Sequence, residues 1–318
     1  MTARLCLASA YLFIMACYMG YYMSKKTFVI IVLTTAFLLT LTASYNFYFD
    51  KNYSEVRDIK VLRIGLVPSL SDDKTYNRYK EIFEGFTART NIPYKYIHTS
   101  SYSDLVDKFI SKEVDFAYFG GATYIKAYKA TGAVPLVMRD VDMAFTSSFI
   151  VPAKSSAKTI QDLKGKKIAF GSELSTSGHF MPRHFMKKEA IVPEDFFGDI
   201  VYSGSHDKTV FMVRGGKADI GVANSEVVES LYNSEKITKE NVRVLSVSPE
   251  YPDYVWAIQR DVSPAVALSL KKSFIDLSLS RPDDIKILKK AGATFFVSAK
   301  HEDFQYLEKI IEDVKENQ

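Results

Sequence analysis

Apolar positions along this chain change period repeatedly. Residues 61–68 form a short β-rich run that stops at Pro68, as a strand does where the backbone can no longer donate to the ladder. Tyr76, Tyr79, Ile82, Phe83 and Phe86 then recur at spacings of three and four. That spacing paints one face of a helix, with Ser71 as its N-cap. The alternation repeats with a strand at 94–97, a helix at 102–111 with Leu105, Phe109 and Ile110 inward, and a buried strand at 115–119. Farther along, the same reading predicts strands at 145–151, 166–170, 201–202 and 219–222, with helices at 178–190, from His206, and after Asn224. The last third adds a strand at 254–259 and helices at 265–279, 283–290 and 303–314. Such a rhythm predicts an α/β architecture with mainly parallel sheets covered on both faces. Ligands on open α/β sheets sit beyond the carboxyl ends of the strands, so the loops there hold the candidate chemistry.

The first fifty residues follow a different pattern. Residues 27–49 carry no charge, and at about 1.5 Å per residue they can cross a hydrocarbon core of roughly 30 Å. Tyr45, Phe47, Tyr48 and Phe49 end the run as an interfacial aromatic belt would. Lys25 and Lys26 precede it, which places them in the cytoplasm and everything after Asp50 outside. Residues 1–50 thus read as an N-terminal transmembrane anchor in the cytoplasmic membrane, and 51–58 as a polar linker. A cleaved signal peptide is the competing reading, but Leu41 is large for the position three before a cut after Ala43. Residues 5–23 are a second uncharged stretch. A start at Met23 instead of Met1 would leave a basic segment followed directly by the apolar run. The two cysteines, Cys6 and Cys17, both lie there, so the body needs no disulfide and offers a metal no thiolate.

At 318 residues, 47% hydrophobic and 25% charged, the chain is long enough for one large or two medium domains. Lys and Arg number 41 against 37 Asp and Glu, with no run of like charge to track a nucleic-acid backbone, so nucleic acid is not expected as a partner. The histidines show no i, i+4 pair on a helix, and neither a metal nor another cofactor is expected.

Four loops carry the chemistry. Asp115-Phe116-Ala117-Tyr118-Phe119-Gly120-Gly121 ends a strand on paired glycines, which let backbone approach a ligand and leave amides free at a helix start, or simply make a tight turn. Ser175-Thr176-Ser177-Gly178 sets three hydroxyls before a helix. A cap needs one, and the set suits a tetrahedral oxyanion. Gly204-Ser205-His206-Asp207 offers a histidine donor whose other nitrogen Asp207 could hold. Asp253 lies in a turn after Pro252. It is either a surface turn residue or a carboxylate that selects ligands still carrying an O–H.

Together YFGG, STSG, GSHD followed by T-V, the downstream GKADIGV and the Pro-Asp turn after V-L-S-V-S resemble the phosphonate-, phosphite- and phosphate-binding (PhnD-like) solute-binding proteins of ABC importers. The likeness runs in order over about 61–314. It implies the type II periplasmic-binding-protein fold, two α/β lobes with a ligand cleft between them, at 59–147 plus 251–318 and at 148–250. It implies ligand contacts from Tyr102, Tyr118, Ser175, Thr176, Ser177, His206 and Asp253, an ABC permease as partner, a periplasmic or other extracytoplasmic location, and no catalytic residue. The sequence departs from the family at Phe119, where some relatives place the tyrosine, and at Tyr251 and Pro252, where smaller or polar residues are usual. The anchor also raises a membrane-tethered sensor signalling to a kinase or receptor. An enzyme using His206 as base and a hydroxyl of Ser175, Thr176 or Ser177 as nucleophile is a third reading, one that needs a geometry sequence cannot supply.

Overall fold

The computed structural model describes residues 56–70 and 74–316, and Thr34. The chain divides into two units, Met1–Val56 and Arg57–Gln318. The anchor at 27–49, the uncharged stretch at 5–23 and the Ser71 cap lie outside the described residues. Among those described, no helix is long and apolar enough to cross a membrane.

The unit from Arg57 carries two sheets. The chain enters through β1 (Leu62–Leu66), α1 (Lys74–Thr90), β2 (Tyr94–Ile97), α2 (Tyr102–Ile110), β3 (Phe116–Phe119), α3 (Gly121–Thr131) and β4 (Val134–Arg139). It then builds the second sheet from β5 (Ser147–Pro152), β6 (Lys167–Phe170), α4 (Met181–Lys188), α5 (Pro193–Phe196), β7 (Asp199–Tyr202), α6 (His206–Arg214), β8 (Ile220–Asn224), α7 (Ser225–Asn233) and β9 (Val242–Val247). It returns through β10 (Val255–Ile258), α8 (Pro264–Ile275), α9 (Pro282–Ala291), β11 (Phe296–Ser298) and α10 (Gln305–Glu316).

The first sheet has the order β11-β4-β10-β3-β1-β2 and the second β7-β6-β8-β5-β9. Parallel pairs join β1 with β2 and β3, and β6 with β7 and β8. The expected parallel character is broken where the chain passes between sheets: β5 and β10 run antiparallel to both neighbours, as β11 does to β4. The passages touch at an isolated antiparallel bridge, Phe145 with Tyr251, whose amides exchange bonds of 2.8 and 3.0 Å. Strands β4 and β11 were not foreseen, and Ile110, expected inward, is exposed in the last turn of α2.

Each sheet has its own apolar packing. The first gathers Phe83, Phe116, Trp256 and Phe274, the Trp256 ring stacking on Phe116 at 5.0 Å. The second has one cluster on each face, around Phe170 and Val222 and around Val210 and Val228. A sheet covered on both faces buries every position of its central strands, as β3 and β8 do.

Candidate functional site

The carboxyl ends of β3, β6, β7 and β8 deliver the loops of interest. After β6, Ser175 Oγ accepts the Gly178 N–H at 2.9 Å, so one hydroxyl of the three is the cap. The Phe180 amide reaches back five residues to the Ser175 carbonyl at 3.1 Å, making a wide π-type turn over Thr176–Phe180. Single π turns of this kind are rare and occur frequently at functional sites. Gly178 is crowded: a Cβ there would lie 3.0 Å from both His206 Cε1 and Ser175 Oγ, so a side chain would push these groups apart. Ser175, Thr176 and Ser177 are all buried.

His206 opens α6 and is fully buried. Its Nδ1 accepts the backbone N–H of Asn224 at the end of β8, at 3.2 Å. A main-chain amide can only donate, so the ring proton sits on Nε2, 3.4 Å from the Tyr102 hydroxyl. The partner foreseen from sequence was Asp207, and this is a correction. Asp207 Oδ1 accepts from the Ser205 hydroxyl at 2.7 Å and the Lys208 amide at 3.0 Å, while the lone pair on Nδ1 is taken by Asn224. Burial, opposed by the charge of Asp207, lowers the His206 pKa to about 4. At neutral pH the ring is therefore a neutral Nε2–H donor.

Asp253 is not a surface turn residue: it is 1% exposed. Its Oδ1 accepts the Gly121 N–H at 2.8 Å at the start of α3. The next amide, Ala122, donates to Thr176 Oγ1 at 2.9 Å, tying the first sheet's helix to the second sheet's loop. Burial raises the Asp253 pKa to about 7, against the Gly121 amide and the nearby Thr176 and Ser177 hydroxyls, which hold it down. Asp253 Oδ2 and Ser177 Oγ are nonetheless buried with no partner of hydrogen-bond geometry. Buried orphans of this kind are rare, and here two fall in one loop cluster.

Six of the seven expected residues thus converge, since Tyr102 also lies against the Ser175 hydroxyl and the Asp253 charge. Tyr118 sits one ring farther out, stacked on Tyr254 at 5.2 Å and near Trp256 at 4.8 Å. Its hydroxyl is buried and unpartnered, and among charged groups Arg139 acts on it most strongly. Arg139 is already committed: it grips Asp142 and, from the other sheet's α7, Glu226 at 3.1 Å through both terminal nitrogens. Tyr254 went unforeseen, and Tyr251 was expected only as a departure from the family. Tyr254 bonds Asn224 Nδ2 at 3.3 Å and lies beside Tyr102. Tyr251 bonds Ser147 Oγ at 2.5 Å. Both flank the Pro-Asp turn, and for Tyr254 that adjacency was the only available signal.

The arrangement can therefore donate many neutral N–H and O–H groups to an anion and accept one proton back at Asp253. A family model for the periplasmic substrate-binding protein of phosphonate ABC transporters matches residues 64–304. The chain is 30% identical over 264 residues to the probable ABC transporter phosphite binding protein PhnD1 of Prochlorococcus marinus (strain MIT 9301), covering 79% of this chain and 89% of that one. It is 23% identical over 258 residues to the phosphate-import protein PhnD of Mycolicibacterium smegmatis, with 76% and 80% covered. The solved structure of PhnD1 in complex with methylphosphonate matches with a TM-score of 0.76 at 28% identity, covering 80% of this chain and 98% of that one. Fold, loop order and sequence agree, and the chain belongs to the periplasmic phosphonate-binding proteins of ABC transporters.

Proposed function

We propose that this protein captures a small phosphorus oxyanion, a phosphonate, phosphite or phosphate, outside the cytoplasm and presents it unchanged to an ABC permease. The observation that carries the reading is the buried meeting of the neutral His206 Nε2–H, the Ser175, Thr176 and Ser177 hydroxyls and the unpaired Asp253 oxygen. Neutral donors in fixed positions select by hydrogen-bond matching more than by charge. The relatives named for phosphite and phosphate, and the one solved with methylphosphonate, support the ligand class. Tyr102, Ser175, Thr176, Ser177, His206 and Asp253 are assigned to the ligand, with Tyr118 and Tyr254 as the ring wall beside them. Calorimetry with phosphite, phosphate, methylphosphonate and aminoethylphosphonate tests this; a folded protein that binds none of them overturns the ligand class.

The uncharged run at 27–49 adds a membrane tether to this proposal. It also favours a second reading, a tethered sensor. Purification from membranes with a permease and ATPase supports import, and co-purification with a kinase supports sensing.

A further inference from the structure

We infer that His179 is a positioning residue, which holds the hydroxyl loop 173–179 in its binding shape through a directed chain of hydrogen bonds starting at Arg183. The inference rests on that loop being the anion site.

Each direction in the chain is fixed by chemistry. His179 Nδ1 lies 2.7 Å from the Glu173 carbonyl oxygen. A carbonyl only accepts, so the proton is on Nδ1 and Nε2 is left as an acceptor. The Tyr202 hydroxyl, 3.1 Å from Nε2, must then donate to it. Tyr202 Oη in turn accepts from Arg183 Nη2 at 3.1 Å. Arg183 is pinned by Glu194 at 2.7 Å and by its guanidinium lying 4.9 Å over the Phe170 ring. The His179 ring also packs against Phe170, at 5.6 Å between centroids.

The consequence is geometric. The residue ending the loop bonds the carbonyl that begins it, and Ser175, Thr176 and Ser177 lie between the two ends. The Glu173 carbonyl on one side and Arg183, acting through Tyr202, on the other both place the proton on Nδ1. Burial and the Arg183 charge keep the ring neutral, with a pKa lowered to about 4, so the clamp is intact through the neutral range. His179 and His206 are then opposite tautomers on the two sides of Gly178: one donates from Nδ1 to the loop, the other from Nε2 into the site.

The test uses the full chain. Nitrogen-15 NMR of the imidazoles is expected to give His179 as the Nδ1–H tautomer and His206 as the Nε2–H tautomer, with no ligand needed. His179→Ala is expected to raise Kd about tenfold for each of the four anions above that the wild type binds. His179→Asn, which restores an N–H near the Nδ1 position, is expected to recover binding to within about threefold. Tyr202→Phe, which removes the donor to Nε2 while the Glu173 carbonyl still holds Nδ1–H, is expected to keep the tautomer and to raise Kd about threefold for the same anions; it carries the test if His179→Ala does not fold, and unchanged binding then overturns the inference. A wild-type His179 in the Nε2–H form, or a His179→Ala protein that binds as the wild type does, overturns the inference. A wild type that binds none of the anions overturns the ligand class instead, and the tautomer measurement still decides the clamp.

Discussion

Replacing Asp253 by Asn alters the charge of the site and almost nothing of its shape. The amide oxygen can keep the Gly121 N–H bond of 2.8 Å, while the carboxyl proton equilibrium disappears. In the native protein burial raises this group from 3.8 to about 7. Between those values the folded chain holds a proton that the unfolded chain has released, so stability falls as pH rises through the window. At about 1.4 kcal/mol per pH unit, the cost to the folded state is about 4 kcal/mol near pH 8 and under about 2 kcal/mol near pH 5.

Asp253→Asn is therefore expected to be more stable than the wild type by about 2–4 kcal/mol near pH 8, with the advantage shrinking as pH falls towards about 5. Urea unfolding of both proteins without ligand, across that pH range, measures it. A difference that stays flat with pH, or a variant less stable than the wild type in alkali, would refute the reasoning. Binding should move the other way. The amide presents N–H where the carboxylate accepts, so an oxyanion still carrying O–H loses an acceptor and binds about tenfold or more weakly. Stability sacrificed for a charged site is a common pattern in functional clefts.

Three further substitutions follow from the geometry. His206→Ala removes the Nε2–H donor and is expected to weaken anion binding by about 1–3 kcal/mol in calorimetry; unchanged affinity takes His206 out of the site. Gly121→Ala places a Cβ 2.5 Å from Leu307 Cδ2. It should cost about 1–3 kcal/mol of thermal stability, and Leu307→Ala should relieve most of that if the clash is the cause. Glu226→Gln loosens the pair that joins α7 to Arg139 across the two sheets, while Arg139 keeps Asp142 and the Ala291 carbonyl. With Glu226 30% exposed, the discounted loss is about 1 kcal/mol, which stopped-flow should read as a roughly fivefold faster release of every ligand alike. A change confined to one ligand would mean that Glu226 touches that ligand.

Much of the fold was legible because amphipathic period and burial coincide. The helix over Tyr76 to Phe86 and the buried strands after it show this, since each must hide one face. Strand β4 escaped because Pro135 argues against a strand, yet Pro135 is found opposite Ala257 near a register shift. There the ladder is already irregular and can spare a donor. Strand β11 is three residues long and pairs only with β4, too short for any period to register. Ile110 failed for a related reason: at the end of a nine-residue helix, a spacing of one from Phe109 turns the side chain about 100° off the buried face.

The site residues divide along the same line. Four hydroxyls, the histidine and the acid advertise themselves by type and by the loops they stand on, and these six meet. The groups that orient His206 and Asp253 do not, because they are backbone amides brought in from 18 and 132 residues away. Asp207 is adjacent to His206 in sequence but a helical step rotates it away, whereas the Asn224 amide is eighteen residues on and lies against the ring. The tautomer of a buried histidine depends on which main-chain group faces it. An N–H at position 224 leaves His206 donating from Nε2, and a C=O at position 173 leaves His179 donating from Nδ1. Nothing in the word His distinguishes the two, so the direction in which each donates becomes readable only once the strands have placed those amides and carbonyls.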